Sequence, residues 1–391
     1  MSARPSLCFI LPDFDDDTDS HFGHTVRGLE ILARSVDLEV VVQHARSAPW
    51  IAGAQRVLVQ TARRRPLRLL QLAQFLLASR RRGCRTLYVH YSYSGAIVAG
   101  LLARLTGGRL HYWHCGQVKQ FYPRWGWSWR TVVTKLGDEL LLRLALRLSH
   151  RLVTGAPRMA EYYVREFGIA RDKILMVPND IDLARFRKRP ERAAARTELG
   201  LPPSAPVVLF LHRLAPRKGA HHIGPTAERV RAAIPDVVFL VVGTGPMLGA
   251  LAQEIEARDL ADNVRLLGPV PNRRIELYYT AADVLFMPSD EEGFPRVLLE
   301  AQATRVPFVA SDVGGVLDIV TPFQAEFVVP RGMIDAFADR VTRLLKDPGL
   351  RVSLAEEGLR NVMRFDVHRV TGQLVAALFP EPSTIEAKGR S

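Results

Sequence analysis

The chain has 391 residues, of which 48% are hydrophobic, and it carries a formal net charge of +13. A chain of this length exceeds one hydrophobic core, so we expect two domains. Its three cysteines are scattered, odd in number and without metal-ligand spacing, which argues against a disulfide framework and a zinc finger. Its apolar runs are too short for a membrane span or a signal peptide, so we expect a cytoplasmic protein.

The positive charge is concentrated in the first half of the chain. Residues 1–200 contain 32 Lys and Arg against 17 Asp and Glu, whereas the remaining residues contain 21 against 23. A basic half predicts an anionic partner, such as phospholipid or a phosphorylated acceptor. The alternative is an arginine-rich, solvated surface. Because the chain has no aromatic–basic recognition motif, we do not expect nucleic acid to be a partner.

Short apolar segments alternate with helical patterns along the chain. In the first half, strands are predicted at LCFIL, LEVVVQH, TLYVHY, RLHYWHC, LSHRLVTGA and KILMVPN. A connector rich in Pro and Arg, RKRPERAAARTELGLPPSAP, follows. In the second half, strands are predicted at PVVLFLHR, DVVFLVVG, NVRLLG, DVLFMPS, PFVAS and AEFVV. Two runs of β/α alternation predict two doubly wound parallel sheets, with ligands bound beyond the carboxyl ends of the strands.

Two long apolar segments with basic residues, ARRRPLRLLQLAQFLLASRRR and TVVTKLGDELLLRLALRL, are predicted to be helices of the first half. Trp125, Trp127 and Trp129 precede the second segment. Both segments fit core helices of a first domain. Together with the tryptophans and the basic half, they also fit a surface that rests on an anionic membrane. The sequence leaves both interpretations open.

No metal site is predicted. The acidic run Asp13–Asp19 is interpreted as a solvated or acceptor-side loop. His111 and His114 are three positions apart, an odd offset, so on a strand they point to opposite faces and cannot easily chelate one ion.

The most informative segment is PSDEEGFPRVLLEAQATRVPFVASDVGG. Glu292 is predicted on a loop after a strand, and Glu300 about two turns into the following helix. Such a junction offers unpaired backbone N–H groups and the positive end of a helix dipole, which together bind phosphate. Carboxylates nearby accept hydrogen bonds from vicinal hydroxyls. The segment therefore predicts a site for a nucleotide sugar.

The order of strand, EGFP, apolar helix and Gly-Gly turn resembles the retaining glycosyltransferases of family 4, whose E-x7-E element matches EGFPRVLLE. This resemblance implies the GT-B fold, an α/β architecture in which two Rossmann-like doubly wound parallel-sheet domains face a cleft. The implied division is an acceptor-side domain at 1–185, a linker at 186–205, a nucleotide-sugar domain at 206–365, and a final segment at 366–391 whose helix crosses back to the first domain.

The resemblance also implies roles for individual residues. Arg213 and Lys218, in LFLHRLAPRKGA, would hold the diphosphate. Glu292 would bind the donor sugar and Glu300 the ribose. His114 would touch the donor sugar, the alternative being a structural histidine. Further donor-site residues would be Gly293, Phe294, Val297, Leu298, Gly243 and Val270. On the acceptor side we expect Gly23 and His24.

The implied activity is transfer of a sugar, with retention and without a metal or other cofactor, from a nucleotide-diphosphate sugar to an acceptor hydroxyl. We expect a glycan or lipid-linked acceptor in cell-envelope polysaccharide or glycolipid assembly, with the enzyme peripheral on the inner face of the membrane. One alternative is a glycosyltransferase with a soluble acceptor. The other is a GT-B-like nucleotide-sugar epimerase, which would require additional acid and base residues.

Overall fold

The computed structural model describes residues 4–14, 24–45, 47–117 and 129–380. These residues form two compact units. The first unit takes the described residues up to Asp180 together with those from Val367 onward, and the second runs from Ile181 to Asp366. The second unit is therefore a continuous segment inserted into the first.

The first unit is built on seven parallel strands. Strands β1 to β7 are Ser6–Phe14, Asp37–Ala45, Arg56–Val59, Thr86–His90, Arg109–Trp113, Arg151–Thr154 and Ile174–Met176. Their order in the sheet is β3-β2-β1-β4-β5-β6-β7. The central strands are almost continuously buried, as expected for parallel strands covered by helices on both faces. Strand β3, RVLV, was not predicted; it lies at an edge and is half-buried to exposed.

Helices α1 to α5 of this unit are Thr25–Leu32, Arg65–Arg81, Tyr93–Thr106, Trp129–Leu148 and Pro157–Phe167. Helix α2 packs on α3, and α3 packs on α4. Helices α2 and α4 are the two long helices predicted from the sequence. Each buries part of its surface while leaving large apolar side chains in solvent. The exposed large apolar side chains of α2, α3 and α4 are Leu67, Leu69, Leu70, Leu77, Leu101, Leu105, Leu136, Leu140, Leu141 and Leu144.

The second unit contains a six-stranded parallel sheet. Strands β8 to β13 are Val207–Leu211, Val238–Val242, Val264–Gly268, Val284–Met287, Phe308–Ser311 and Val328–Val329. Their order is β10-β9-β8-β11-β12-β13, so the direction of winding reverses between β8 and β11. In open α/β sheets this switch point is where ligands bind, outside the carboxyl ends of the strands.

The helices of the second unit, α6 to α15, are Leu183–Arg187, Arg192–Glu198, Ile223–Ala233, Leu248–Ala257, Ile275–Ala281, Arg296–Ala303, Val316–Ile319, Pro322–Ala325, Ile334–Lys346 and Pro348–Val362. Helix α7 lies within the segment expected to be a linker. It is held there by the buried guanidinium of Arg196, which donates to Asp283 at 2.9 Å.

The chain then returns to the first unit. Helix α16, Val367–Leu378, packs against α1, where an added Cβ on Gly28 would lie 3.8 Å from Val367. None of the helices in the described ranges is both long enough and apolar enough to span a bilayer. The predicted α/β fold with two doubly wound parallel sheets is confirmed.

Candidate functional site

The loops that follow β8 and β11 meet at the switch point of the second sheet. A short 3₁₀ helix, Pro216–Lys218, lies beyond the end of β8. The carbonyl of Arg217 accepts hydrogen bonds from the backbone N–H groups of Asp290 and Glu291, both at 3.0 Å. This backbone contact fixes the loop that carries Lys218 against the loop that carries Glu292.

Lys218 and Glu292 form a buried ion pair. The ammonium Nζ lies 2.7 Å from the carboxylate Oε1. The same oxygen accepts from the hydroxyl of Ser289 at 2.8 Å and lies 3.5 Å from Nε2 of His212. These three contacts converge on Oε1, and within the described ranges no hydrogen bond reaches Oε2. The geometry thus leaves one carboxylate oxygen for a ligand.

The charges of the pair follow from burial and mutual attraction. Burial alone would raise the pKa of the Glu292 carboxyl, but Lys218 and His212 together hold it well below its usual range. Burial lowers the pKa of Lys218, an effect that Glu292 opposes. Burial and the charge of Lys218 lower the pKa of His212 to about 4. At neutral pH, Glu292 is therefore a carboxylate and His212 a neutral imidazole.

Arg213, the second predicted diphosphate ligand, follows the end of β8 and is exposed. Its backbone N–H donates to Nδ1 of His212 at 2.8 Å. Its guanidinium has no hydrogen bond or ion pair in the part of the chain that the structure describes. A guanidinium fork without a protein partner remains available to a phosphate.

Helix α11 begins directly after the Glu292 loop, at Arg296. Because the first residues of a helix have no preceding carbonyl partner, the N–H groups at Val297 and Leu298 face the helix entrance. Glu300 lies further along this helix, half-buried, and accepts from the hydroxyl of Tyr279 at 2.9 Å. The same hydroxyl hydrogen is shared with the carbonyl of Val297, which lies 3.2 Å from the Tyr279 oxygen. Burial raises the pKa of Glu300.

Two glycines allow backbone segments to approach closely around this site. Gly314 has a φ of +52°, and an added Cβ would lie 1.8 Å from the carbonyl oxygen of Glu292. Gly243, after β9, has a φ of +132°, and its Cβ would lie 2.0 Å from the carbonyl oxygen of His212. Side chains at these positions would displace the loops that hold Glu292 and His212.

The remaining donor-site predictions occupy the same end of the second sheet. Gly293 adjoins Glu292 and accepts from the N–H of Gly315 at 2.9 Å. Phe294 is buried and packs on Phe365, with ring centroids 5.5 Å apart. Val270 follows β10 and is half-buried.

The predicted residues of the first half belong to the first unit. His114 directly follows β5 and is buried, with Nδ1 2.5 Å from the hydroxyl of Tyr163. Burial lowers its pKa to about 3, so it is a neutral imidazole. This environment fits the structural alternative, and contact with a donor sugar stays a prediction. His24 directly precedes α1. Gly23 lies outside the described residues, as do Trp125, Trp127 and most of the acidic run.

Three contributors were not predicted. Ser289 and His212 contact Glu292, and Gly314 shapes its loop. The signals for Ser289 and Gly314 were present as the turn residues of PSD and VGG, which begin and end the predicted segment. His212 carried no pattern that distinguishes it from an ordinary residue at a strand end.

The assembled site combines a lysine, the guanidinium of Arg213 and a helix N-terminus with two carboxylates. The first three are donors suited to phosphate oxygens. The carboxylates are acceptors suited to hydroxyl groups. This combination can bind a ligand that has both a phosphate and hydroxylated rings.

Residues 191–360 match the family model of the glycosyl transferases, group 1. A D-inositol 3-phosphate glycosyltransferase from Catenulispora acidiphila is 32% identical over 283 residues, which cover 65% of this chain and 66% of the relative. A 2-deoxystreptamine glucosyltransferase from Streptomyces kanamyceticus is 29% identical over 336 residues, covering 84% and 81%. The chain spans about half to two thirds of the length of the first curated relatives that it matches.

Solved structures share the fold over nearly the whole chain. Sucrose-phosphate synthase from Thermosynechococcus elongatus superimposes with a TM-score of 0.77 at 22% identity, covering 96% of this chain and 99% of that one. HepE from Anabaena, solved in complex with UDP, gives 0.73 at 17%, covering 98% and 100%. The glycosyltransferase WaaG gives 0.72 at 14%, covering 96% and 100%. The fold is that of GT-B proteins, and the family match and relatives support a glycosyltransferase.

Proposed function

We propose that the protein is a retaining glycosyltransferase of family 4 that moves a sugar from a nucleotide-diphosphate sugar to an acceptor hydroxyl. The observation that carries the proposal is the Lys218–Glu292 pair at the switch point of the second sheet, where Oε1 is occupied and Oε2 is left for a ligand. The matched family segment contains both residues.

In this proposal, charge develops on the departing diphosphate. Lys218, Arg213 and the N-terminus of α11 stabilise that charge electrostatically. Oε2 of Glu292 accepts a hydroxyl of the donor sugar, and Glu300 accepts the ribose hydroxyls. Because Glu292 is held as a carboxylate, it orients the sugar rather than supplying a proton. The leaving phosphate itself helps to deprotonate the acceptor on the same face of the sugar.

The proposed chemistry uses fixed cations where other transferases use a divalent metal. We therefore expect the chelator-treated protein to retain transfer without added Mg²⁺ or Mn²⁺. Complete loss that Mn²⁺ restores would contradict this part of the proposal. Retention is tested by the anomeric configuration of the first product, read by NMR before it equilibrates; an inverted product would exclude the mechanism.

Two observations favour different acceptors. The first observation is that α2, α3 and α4 expose leucines in the half of the chain that carries the excess of Lys and Arg. This favours a lipid-linked or envelope acceptor reached by peripheral membrane association. The resemblance to a D-inositol 3-phosphate glycosyltransferase and a 2-deoxystreptamine glucosyltransferase favours a small soluble cyclitol as acceptor. Parallel transfer assays with inositol phosphates, 2-deoxystreptamine and membrane extracts distinguish them.

The donor is identified by thermal shift and donor hydrolysis across UDP-, GDP- and ADP-sugars. A glycosyltransferase is expected to be stabilised by one nucleoside diphosphate and to release it faster when the acceptor is present. Release of free nucleotide with an epimerised sugar, independent of any acceptor, would favour the epimerase instead.

A further inference from the structure

A cluster of two histidines and one aspartate is formed by residues that neighbour Lys218 and Glu292 in the chain. His221 and His222 end a short 3₁₀ helix, Ala220–His222, that leads into α8. Asp290 lies on the loop after β11. The nitrogen and oxygen atoms that these three side chains offer lie within 4.8 Å of one another. No metal site was predicted, because sequence spacing does not show that Asp290 meets the two histidines.

Two of the three separations within the cluster fit metal coordination, and the shorter of them is also a long hydrogen bond. Nε2 of His222 lies 3.3 Å from Oδ1 of Asp290, and Nε2 of His221 lies 3.5 Å from Oδ2. These separations exceed the usual length of an N–H···O hydrogen bond, about 2.7–3.2 Å. Metal–ligand bonds of about 2.0–2.2 Å at tetrahedral angles place neighbouring ligand atoms about 3.3–3.6 Å apart.

The cluster is largely enclosed and offers three ligands, so a water molecule would complete a tetrahedral zinc ion. His222 and Asp290 are buried, and the two imidazole rings are stacked with centroids 3.8 Å apart. The ring of Phe337 lies 6.2 Å from that of His222 and covers one side. Two imidazoles and one carboxylate suit zinc and its neighbours in the transition series, whereas magnesium and calcium prefer all-oxygen ligands.

We propose that His221, His222 and Asp290 form a zinc site that joins the start of α8 to the β11–α11 loop. The ion would cross-link the two segments that present Lys218 and Glu292. Its contribution is structural, since the Lys218 and Glu292 side chains pair with each other and not with the cluster. Chelation is therefore expected to lower the melting temperature while leaving transfer intact below it.

The test is zinc binding to the full-length, chelator-treated protein, measured by calorimetry and by the thermal shift that binding to the folded state produces. Wild-type protein is expected to bind one zinc ion and to melt at a higher temperature. His222→Gln and Asp290→Asn are each expected to weaken binding at least about tenfold, the loss that even outer-shell changes produce. Replacing zinc with Co²⁺ should give the absorption spectrum of a tetrahedral site.

The matched control is His44→Gln. His44 also lies close to an aspartate, with Nδ1 3.4 Å from Asp13, but that pair is exposed, and among the described residues no second histidine joins it. This variant is expected to bind zinc like the wild type. Equal zinc affinity in wild type and both cluster variants, or no binding by the wild type, would overturn the proposal. Loss of binding in His212→Asn but not in His222→Gln would assign the ion to the Glu292 side instead.

Discussion

The two oxygens of Glu292 have different surroundings, and this difference gives the residue its proposed role. Oε1 is held by Lys218 and Ser289, with His212 nearby, so the side chain cannot rotate without losing its partners. Oε2 is therefore already oriented for a ligand before binding, and the side chain does not have to change its rotamer. Preorganisation of this kind lowers the entropy that a ligand must lose on binding.

The diphosphate site is tested by replacing its cations. Lys218→Ala and Arg213→Ala are each expected to lower kcat/KM by about 10²–10³, because removal of one electrostatic donor to the developing charge typically costs about 2.7–4 kcal/mol. The Lys218 variant also leaves Glu292 buried without its cation, so its melting temperature is expected to fall. Arg213 is exposed, so its variant should stay as stable as the wild type. Near-normal turnover by folded Arg213→Ala would remove it from the site.

Calorimetry separates the two glutamates. Glu300→Gln is expected to weaken binding of the free nucleoside diphosphate and of the donor alike, since its proposed partner is the ribose. Glu292→Gln is expected to leave nucleoside-diphosphate binding nearly unchanged while lowering sugar transfer. The opposite pattern would exchange the two roles.

The low pKa of Glu292 has a consequence for stability. A carboxyl whose pKa is lower in the folded state stabilises the protein above its unfolded pKa, about 4.3, and loses that contribution as the pH falls. The difference between wild type and Glu292→Gln in urea unfolding is therefore expected to be constant from about pH 7 to pH 5 and to shrink as the pH falls below about 4. A difference that stays constant down to about pH 2 would show that Lys218 does not hold Glu292 ionised.

At the level of elements, the loops depend on glycines that tolerate close backbone contact. Gly314→Ala is expected to lower stability by about 1–3 kcal/mol, since alanine at φ +52° is strained and its Cβ meets the carbonyl of Glu292. The displaced loop should also weaken donor binding. Both effects are measured by thermal denaturation and calorimetry.

Gly332→Ala is the matched control for Gly314→Ala. Gly332 also has a positive φ, +78°, but no atom lies within 4 Å of an added Cβ. The Gly332→Ala variant should lose stability because alanine is strained at this φ, and it should bind the donor normally. Equal donor affinity in the two variants would show that the Glu292 loop tolerates the displacement.

The elements themselves were largely predictable. Buried parallel strands are continuous apolar runs, so the strands of both sheets were visible in the sequence except β3. Strand β3 has only four residues and lies at an edge, where the apolar signal is weakest. Helix α7 was assigned to a linker because its stability comes from the distant Asp283 rather than from local pattern.

The site was predictable to a smaller extent. Lys218 and Glu292 were identified from separate motifs, but their direct contact joins residues 74 positions apart in the chain. Local sequence carries no information on such a distance. The same reason explains why His212, as a partner of Glu292, and the cluster around Asp290 became visible only in the folded chain.

At the scale of the whole molecule, the basic, leucine-rich first unit predicts peripheral binding to anionic membranes. Each Lys or Arg near such a surface contributes about 1 kcal/mol, so a few suffice for reversible binding. Co-sedimentation with phosphatidylglycerol vesicles is expected to fall as salt rises. It should also fall when Arg63, Arg64 and Arg65 become Gln, or when Leu70 and Leu140 become Ser.

A matched control changes exposed apolar residues of the second unit. Met333 and Val352 are nearly as exposed as those leucines, at 54% and 58% against 60% and 68%, and their replacement by Ser should leave vesicle binding unchanged. If the wild type ignores anionic vesicles even at low salt, a soluble acceptor becomes the better proposal.

The insertion of one unit within the other sets the order in which the chain can mature during synthesis. The second unit is continuous from Ile181 to Asp366 and can fold as soon as that segment leaves the ribosome. The first unit emerges earlier yet is completed later, because α16 must still arrive to cover α1. A nascent chain stalled after Asp366 would therefore hold a finished second unit beside a first unit whose α1 surface is still uncovered.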